Sequence, residues 1–321
     1  MVELTVVNAD LMERACDLLV LKYADGFYGA DSAISKRVGF NERVPPGEAA
    51  FLTGRSIAAR KILYIGVGPL EDFRYRQIRA FGRTALELAA RDSGRIKVLC
   101  TTIHGPGYGL DEREAFLSLV GGLWDGIEIG AFPKDLERIE IVELNSKRAE
   151  RLERMLSESI ASSRWQTNRV KYKLGIGPHD LSSFGAESER KTKLFVAMPF
   201  APEHSDVWEI AIQESCQKAQ ILCERVDRQA YVGDILTEVV SRLKSANGVL
   251  ALLDDANPNV FLEIGFAWGA GKPTVLIAKN GTPLPLDVRG QKCIQYTSIA
   301  NPRSLLAEEL ISLKAQGVFG T

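Results

Sequence analysis

The 321-residue chain carries 40 Lys and Arg against 41 Asp and Glu, a formal net charge of -1. That balance leaves no excess of cations to hold bulk nucleic acid. Apolar residues make up 45% and charged residues 25%, which excludes disordered, collagen-like and coiled-coil chains, and the length favours two domains of roughly 100–200 residues each.

No apolar run approaches the roughly 20 residues that cross a bilayer, and no membrane partner is expected. The opening Met1-Val2-Glu3-Leu4 lacks the basic start and apolar core of a signal peptide, so a cytoplasmic protein is expected. The five cysteines, Cys16, Cys100, Cys216, Cys223 and Cys293, form no Cys-x-x-Cys pair and read as reduced thiols. The three histidines, His104, His179 and His204, show no helical metal-ligand spacing, so no metal is expected.

In chain order, short runs rich in β-branched and aliphatic residues predict strands over 4–7, 18–22, 62–67, 96–101 and 139–144. Helical patterns fall between them at about 75–90 and 113–124. A charged, helix-like stretch follows over 148–159, and then a polar segment containing Gly175-Ile176-Gly177-Pro178. The rhythm resumes with strands predicted over 194–198, 221–224, 249–253, 274–278 and 293–296. These runs are almost continuously apolar, as parallel strands covered on both faces require. Trp208, Ala211, Ile212, Ser215, Cys216 and Ala219 share one helix face, and Leu236, Val239, Val240 and Leu243 share another. Alternating strands and helices imply right-handed crossovers. The expected organisation is an α/β domain over 1–146, a helical and polar linker over 147–190, and a parallel-sheet domain over 191–321.

The second block concentrates the polar side chains. Ligands of open parallel sheets sit beyond the carboxyl ends of the strands. There the sequence places Pro199 and Phe200 after one strand, and Asp254, Asp255, Asn257 and Asn259 after another. Glu263 follows in the early turns of the next helix. A carboxylate so placed can stabilise or attack the oxocarbenium-like centre formed when a sugar loses its base. The same residues also fit a turn and an N-cap, with Glu263 solvated. Asp234 opens an amphipathic helix and fits either an N-cap or a ligand-facing carboxylate. Arg225 and Asp227 suit a base, a phosphate or a surface ion pair. His204 reads as a bystander and Trp268 as core.

In the first block, Ile65-Gly66-Val67-Gly68-Pro69 and His104-Gly105-Pro106-Gly107-Tyr108-Gly109 each follow a strand. Glycines there let backbone N–H groups approach phosphate oxygens, and a helix start adds its dipole. Tight turns demand glycine as well.

Several of these motifs carry a family resemblance. Leu194-Phe195-Val196-Ala197-Met198-Pro199-Phe200, Gly233-Asp234-Ile235, Asn257-Pro258-Asn259-Val260-Phe261-Leu262-Glu263-Ile264-Gly265 and Gly271-Lys272-Pro273 resemble the nucleoside 2-deoxyribosyltransferase-like and TIR-like proteins. The resemblance runs over about 191–315. It implies that Glu263 is the catalytic carboxylate and that Pro199, Phe200 and Asp254 border a nucleoside pocket. Asn257 stands where base-exchanging members carry Asp, and the Asn-Pro-Asn-Val-Phe form is similar to the TIR-like branch. That branch implies NAD hydrolysis at the nicotinamide–ribose bond, a role in antiphage defence, and a homo-oligomer. NAD would be a substrate, and no cofactor is expected.

The first block, over about 1–144, resembles macro domains, especially the N-terminal domain of leucyl aminopeptidases. Asp17-Leu18-Leu19-Val20 is similar to the strand before the first ligand loop, and Gly107-Tyr108-Gly109 to the diphosphate loop. The resemblance implies a three-layer α/β domain that binds an ADP-ribose-like or cyclic nucleotide through Gly66, Gly68, Gly105, Gly107, Tyr108 and Gly109. Lys22-Tyr23-Ala24-Asp25 occupies the stretch where ADP-ribose-cleaving members carry Asn, so it implies binding without hydrolysis. The full expectation is a flavodoxin-like, TIR-like catalytic domain beside a macro-like sensor. Two other readings stay open: an N-glycosidase or ribosyltransferase acting on a nucleoside monophosphate, and a non-catalytic nucleotide-binding or assembly protein.

Overall fold

The computed structural model describes residues 2–159, 164–165, 181–225, 235–298 and 300–320. The chain forms two compact units, one of Met1–Gly107 with Glu112–Glu189 and one of Tyr108–Asp111 with Arg190–Thr321. The segment read as a linker gives the first unit its helix Ser146–Ser159, anchored by the buried Ala149, Leu152 and Leu156. The short stretch Tyr108–Asp111 falls within the second unit.

The first unit is built on a seven-stranded sheet. In chain order its strands are β1 (Val2–Asn8), β2 (Leu18–Tyr23), β3 (Ala49–Thr53), β4 (Lys61–Gly66), β5 (Val98–Thr101), β6 (Arg138–Glu143) and β7 (Arg164–Trp165). They lie side by side as β3-β4-β2-β5-β6-β1-β7. The five middle strands run parallel, and the outer β3 and β7 pair antiparallel. Every residue of β2 is buried, as a central strand covered on both faces demands. Leu19, Leu21 and Tyr23 of β2 pack with Ile62 and Tyr64 of β4 and with Ile34 of helix α1 (Ala30–Val38). Leu18, Val20 and Leu63, equally buried, point to the opposite face.

Helices α2 (Tyr75–Arg91) and α3 (Glu112–Glu128) touch backbone to backbone. A Cβ on Gly122 would lie 1.9 Å from the Arg79 carbonyl oxygen, so only glycine admits this approach. Arg79 also grips Asp125 with two 2.7 Å hydrogen bonds. The helix α4 (Ser146–Ser159) also belongs to this unit.

Asp17 fixes where β2 begins. Its carboxylate accepts hydrogen bonds from the backbone N–H groups of Lys97 and Val98 at 2.8 and 3.0 Å and from Arg60 at 2.8 Å. Burial pushes this carboxyl up, but those N–H groups and the Arg60 charge outweigh it and hold it below the usual carboxylate range. A depressed folded pKa adds stability above the unfolded value of about 3.9 and loses it as pH falls through the folded value. Asp17→Asn is therefore expected to cost about 1–3 kcal/mol at pH 7. In urea unfolding the gap to the native chain should narrow towards pH 3; a gap independent of pH would refute this role.

The second unit is a five-stranded, wholly parallel sheet of β8 (Lys193–Ala197), β9 (Leu222–Glu224), β10 (Gly248–Leu252), β11 (Thr274–Lys279) and β12 (Cys293–Tyr296). The order is β12-β11-β10-β8-β9. Numbered along the chain, this is the 2-1-3-4-5 arrangement of flavodoxin-type sheets, and its order reverses between β8 and β10. Successive side chains point to opposite faces. Leu194, Val196, Leu250, Leu252 and Ile277 pack on Ala211, Ile212 and Cys216 of the π-helical turn Val207–Ile212 and α5 (Gln213–Lys218). Leu306 and Leu310 of the last helix (Ala300–Ala315) join that face. Phe195, Ala197, Val249, Ala251 and Leu276 pack instead on α6 (Ile235–Ser245) and α7 (Pro258–Gly269). Helix α6 departs from the expected stripe: Val239 and Leu243 are buried, but Leu236 is exposed. α8 (Leu286–Arg289) and α9 (Ala300–Ala315) follow. All five cysteines are free, four of them buried. No helix among the described residues is long and apolar enough to cross a membrane.

Candidate functional site

The carboxyl ends of β8 and β10 flank the reversal in strand order, where parallel sheets open a crevice. After β8, Pro199 is buried and Phe200 exposed. After β10, Asp254 is buried and both its oxygens are engaged within the protein. One accepts from the backbone N–H of Lys279 at 2.7 Å and the other from the Tyr296 hydroxyl. Asp254 thus ties the ends of β10, β11 and β12 together. Burial and this hydrogen bond push the Tyr296 hydroxyl well above its ordinary range.

Asp255 and Ala256 follow with left-handed backbones, φ 64° and 47°. Such conformations strain residues with a Cβ and concentrate at ligand-binding sites. Asp255 is held there by His204, whose buried ring meets its carboxylate at 2.7 Å. This contact joins the loops after β8 and β10 across the reversal point. The sequence reading of His204 as a bystander missed it, because 51 residues separate the two. Glu203, His204 and Asp255 bring ligand atoms within 4.8 Å of one another. Among the described residues this group could receive a cation, although both carboxylates are exposed.

Asn257 caps α7. Its side-chain oxygen accepts from the Asn259 backbone N–H at 2.9 Å, and Pro258 occupies the first helical turn. Val260, Ile264 and Ala267 form the helix stripe that faces the sheet. Glu263 lies beside that stripe, half-buried, on the same flank as the exposed Asn259 four residues earlier. Asp234 and Asp227 lie outside the described residues.

The end of β9 adds a cation. The Arg225 guanidinium lies 4.5 Å from the centre of the Trp208 ring and 5.0 Å from that of Phe200. The expected glycine loop contributes here too. The Arg225 N–H donates to the Gly109 carbonyl at 3.0 Å, and the Cys223 N–H to the Asp111 carboxylate at 3.2 Å. Gly109, at φ 98°, has no room for a Cβ, which would stand 2.5 Å from the Arg225 oxygen. Tyr108 is buried in this unit.

In the first unit the remaining glycines lie at the carboxyl ends of β4 and β5. Gly66 admits the Val44–Pro45 backbone, since a Cβ there would meet the Pro45 oxygen at 2.0 Å. Gly68 and Gly105 have φ of 82° and 113°, while the space around Gly107 is open. The same edge holds a buried polar group that sequence spacing did not reveal. Lys22, at the end of β2, donates to Asp31 of α1 at 2.5 Å, and both are almost fully buried. Tyr64 donates to the Asp31 main-chain oxygen. His104 packs edge-on against Phe81 and Phe73 at 4.9 and 6.0 Å. Burial and the Lys22 charge hold His104 well below its ordinary range, so it is neutral. Among the described residues, Asp31 Oδ1 and His104 Nε2 have no hydrogen-bond partner.

The N-terminal half resembles macrodomains. Two such solved structures are the Trypanosoma brucei macrodomain in complex with ADP-ribose and the Oceanobacillus iheyensis macrodomain with ADP. The first is 20% identical, covers 48% of this chain and 69% of its own, and has a TM-score of 0.39. The second is 17% identical, covers 47% and 88%, and has a TM-score of 0.38. No family model and no curated protein matches the chain.

Proposed function

We propose that the second unit hydrolyses an N-glycosidic bond, with NAD as its first-choice substrate, and that Glu263 is the essential carboxylate. The observation that carries this reading is the placement of Glu263. It stands half-buried on the helix that begins where the β10 loop meets the reversal point of a wholly parallel sheet. Asn259 on the same flank suits the ribose hydroxyls, and the Arg225–Phe200 pair lies at the neighbouring strand ends.

The chemistry follows from that carboxylate. As the C–N bond to the anomeric carbon breaks, its electron pair passes to the pyridinium nitrogen. Nicotinamide then leaves neutral and needs no proton. The sugar carbon becomes oxocarbenium-like, and the Glu263 charge stabilises it. Water adds to that carbon and gives up one proton, leaving ADP-ribose. A nucleoside monophosphate is the second reading, because its departing base needs a proton and His204, bonded to Asp255, stands at the same edge.

The first unit is proposed to bind an ADP-ribose-like or cyclic nucleotide through Gly66, Gly68, Gly105 and Gly107 and so regulate the second. The macrodomains it resembles were solved with ADP and ADP-ribose. In this reading the protein is a cytoplasmic, homo-oligomeric defence effector that consumes NAD. The test is a mass-spectrometric screen of NAD and nucleoside monophosphates incubated with the full chain, alone and with candidate regulators. Nicotinamide and ADP-ribose should appear in equal amounts. Release of a free base from monophosphates would favour the second reading, and no turnover under any condition would leave a nucleotide-binding protein.

A further inference from the structure

Strand β3 (Ala49–Thr53) ends the first unit's sheet, and its outer side borders no strand among the described residues. An open edge presents unpaired N–H and C=O groups, and proteins guard it with charge, proline, a bulge or brevity. The opposite edge is guarded by brevity, since β7 is two residues long. β3 has none of these devices. Ala49-Ala50-Phe51-Leu52-Thr53 carries no charge and no proline, and its ladder with β4 runs unbroken. Phe51, at its centre, is 44% exposed.

The ladder also fixes which groups face outward. The Gly66 N–H donates to the Glu48 oxygen at 2.9 Å and the Gly54 N–H to the Arg60 oxygen at 3.0 Å, so the even-numbered positions bond towards β4. Antiparallel ladders alternate, and Ala49, Phe51 and Thr53 therefore turn their N–H and C=O groups to the open side. Their side chains are the exposed ones, whereas Ala50 and Leu52 pack on the core. A two-fold axis beside Phe51 would set two β3 strands antiparallel, with Phe51 opposite its own copy and Ala49 opposite Thr53 of the second copy. Every outward group then meets an outward group, and a shift by one residue loses that match. The two Phe51 rings become a cross-strand aromatic pair. The same register sets Glu48 of one copy beside Gly54 and Arg55 of the other. Glu48 and Arg55 are both exposed and opposite in charge. The edge is thus complementary to itself in hydrogen bonds, apolar contact and charge, as an isologous interface requires.

We propose that β3 pairs with β3 of a second copy of this chain, antiparallel about Phe51, so that the sheets of two first units join into one. This goes beyond the hydrolase reading and does not depend on it. It names the surface through which the chain associates with itself.

The test is sedimentation velocity of the full chain from about 1 to 100 µM, the range in which a small interface associates. The native chain should pass from monomer to dimer. Phe51→Lys should weaken the dimer by about 10-fold or more, because it removes the aromatic pair and sets two like charges opposite each other. Glu48→Arg and Arg55→Glu should each weaken it by about 3- to 10-fold, and the two together should restore it to within about 3-fold of native. Thermal unfolding checks that each variant is folded. Should Phe51→Lys fail to fold, the charge exchange carries the same comparison. A native chain that stays monomeric at about 100 µM overturns the proposal. So does a dimer indifferent to Phe51→Lys, which another surface would hold, or one that the charge exchange weakens and does not restore. The outcome separates from that of the hydrolase reading. A monomer that turns over NAD removes this interface and keeps the enzyme, and a β3-dependent dimer without turnover does the reverse.

Discussion

Glu263→Gln is expected to slow N-glycosidic cleavage by about 100- to 1000-fold, equivalent to roughly 2.7–4 kcal/mol of transition-state stabilisation. Glutamine keeps the shape and hydrogen-bonding reach of the side chain and removes its charge. The ground state carries its positive charge on the departing pyridinium, and the transition state moves it onto the sugar carbon. An anion placed beside that carbon therefore acts mainly on the transition state, and kcat should fall more than KM rises. Val260, Ile264 and Ala267, which seat the helix on the sheet, are untouched by the substitution. The thermal midpoint should stay close to that of the native chain. Nicotinamide release measured beside thermal unfolding checks both statements, and native turnover by the folded variant would remove Glu263 from the mechanism.

Lys22→Met is expected to cost about 3–5 kcal/mol of stability, the penalty for leaving a buried charge without its partner. The side chains of Lys22 and Asp31 are 4% and 3% exposed. Burial pushes the Asp31 carboxyl up, and the Lys22 charge and hydrogen bond oppose it. With the ammonium gone, only the Lys22 backbone hydrogen bond still opposes burial, and the folded pKa of Asp31 rises further. A raised folded pKa gives stability that is fully present below the unfolded value of about 3.9 and is lost as pH climbs through the folded one. The penalty should therefore be smallest near pH 4 and grow towards neutrality. Lys22→Met with Asp31→Leu should recover most of the loss, since an apolar pair of similar volume leaves nothing unpaired. Denaturant unfolding at several pH values measures all three chains. A single variant within 1 kcal/mol of native at pH 7 would show that the pair is not structurally important.

The strand positions were legible because burial leaves a local signature. The apolar runs expected over 18–22, 194–198 and 249–253 appear as Leu18–Tyr23, Lys193–Ala197 and Gly248–Leu252. The edge strand Ala49–Thr53 was missed. Its residues alternate between exposed and half-buried, so its ladder with β4 leaves little apolar contrast in the sequence. The N-terminal helix Ala30–Val38 escaped for a similar reason, with only Asp31, Ile34 and Ser35 buried in it.

The sequence alone determined the buried strands, most residues of the apolar faces, and that Glu263 follows a polar loop in the first turns of a helix. Each of these depends on neighbours within a few residues. The tertiary structure alone decided which side chains meet. His204 reaches Asp255 across 51 residues, Asp254 receives the hydroxyl of Tyr296 across 42, and Lys22 finds Asp31 only after the chain turns back over the end of β2. It also placed Gly109 against Arg225, in a unit formed mostly by the other half of the chain. Hydrophobic burial is non-directional and repeats with the local period, so it can be read from a pattern. Hydrogen bonds and ion pairs require particular atoms at particular distances, and those are settled only when the strand order brings distant loops to one edge.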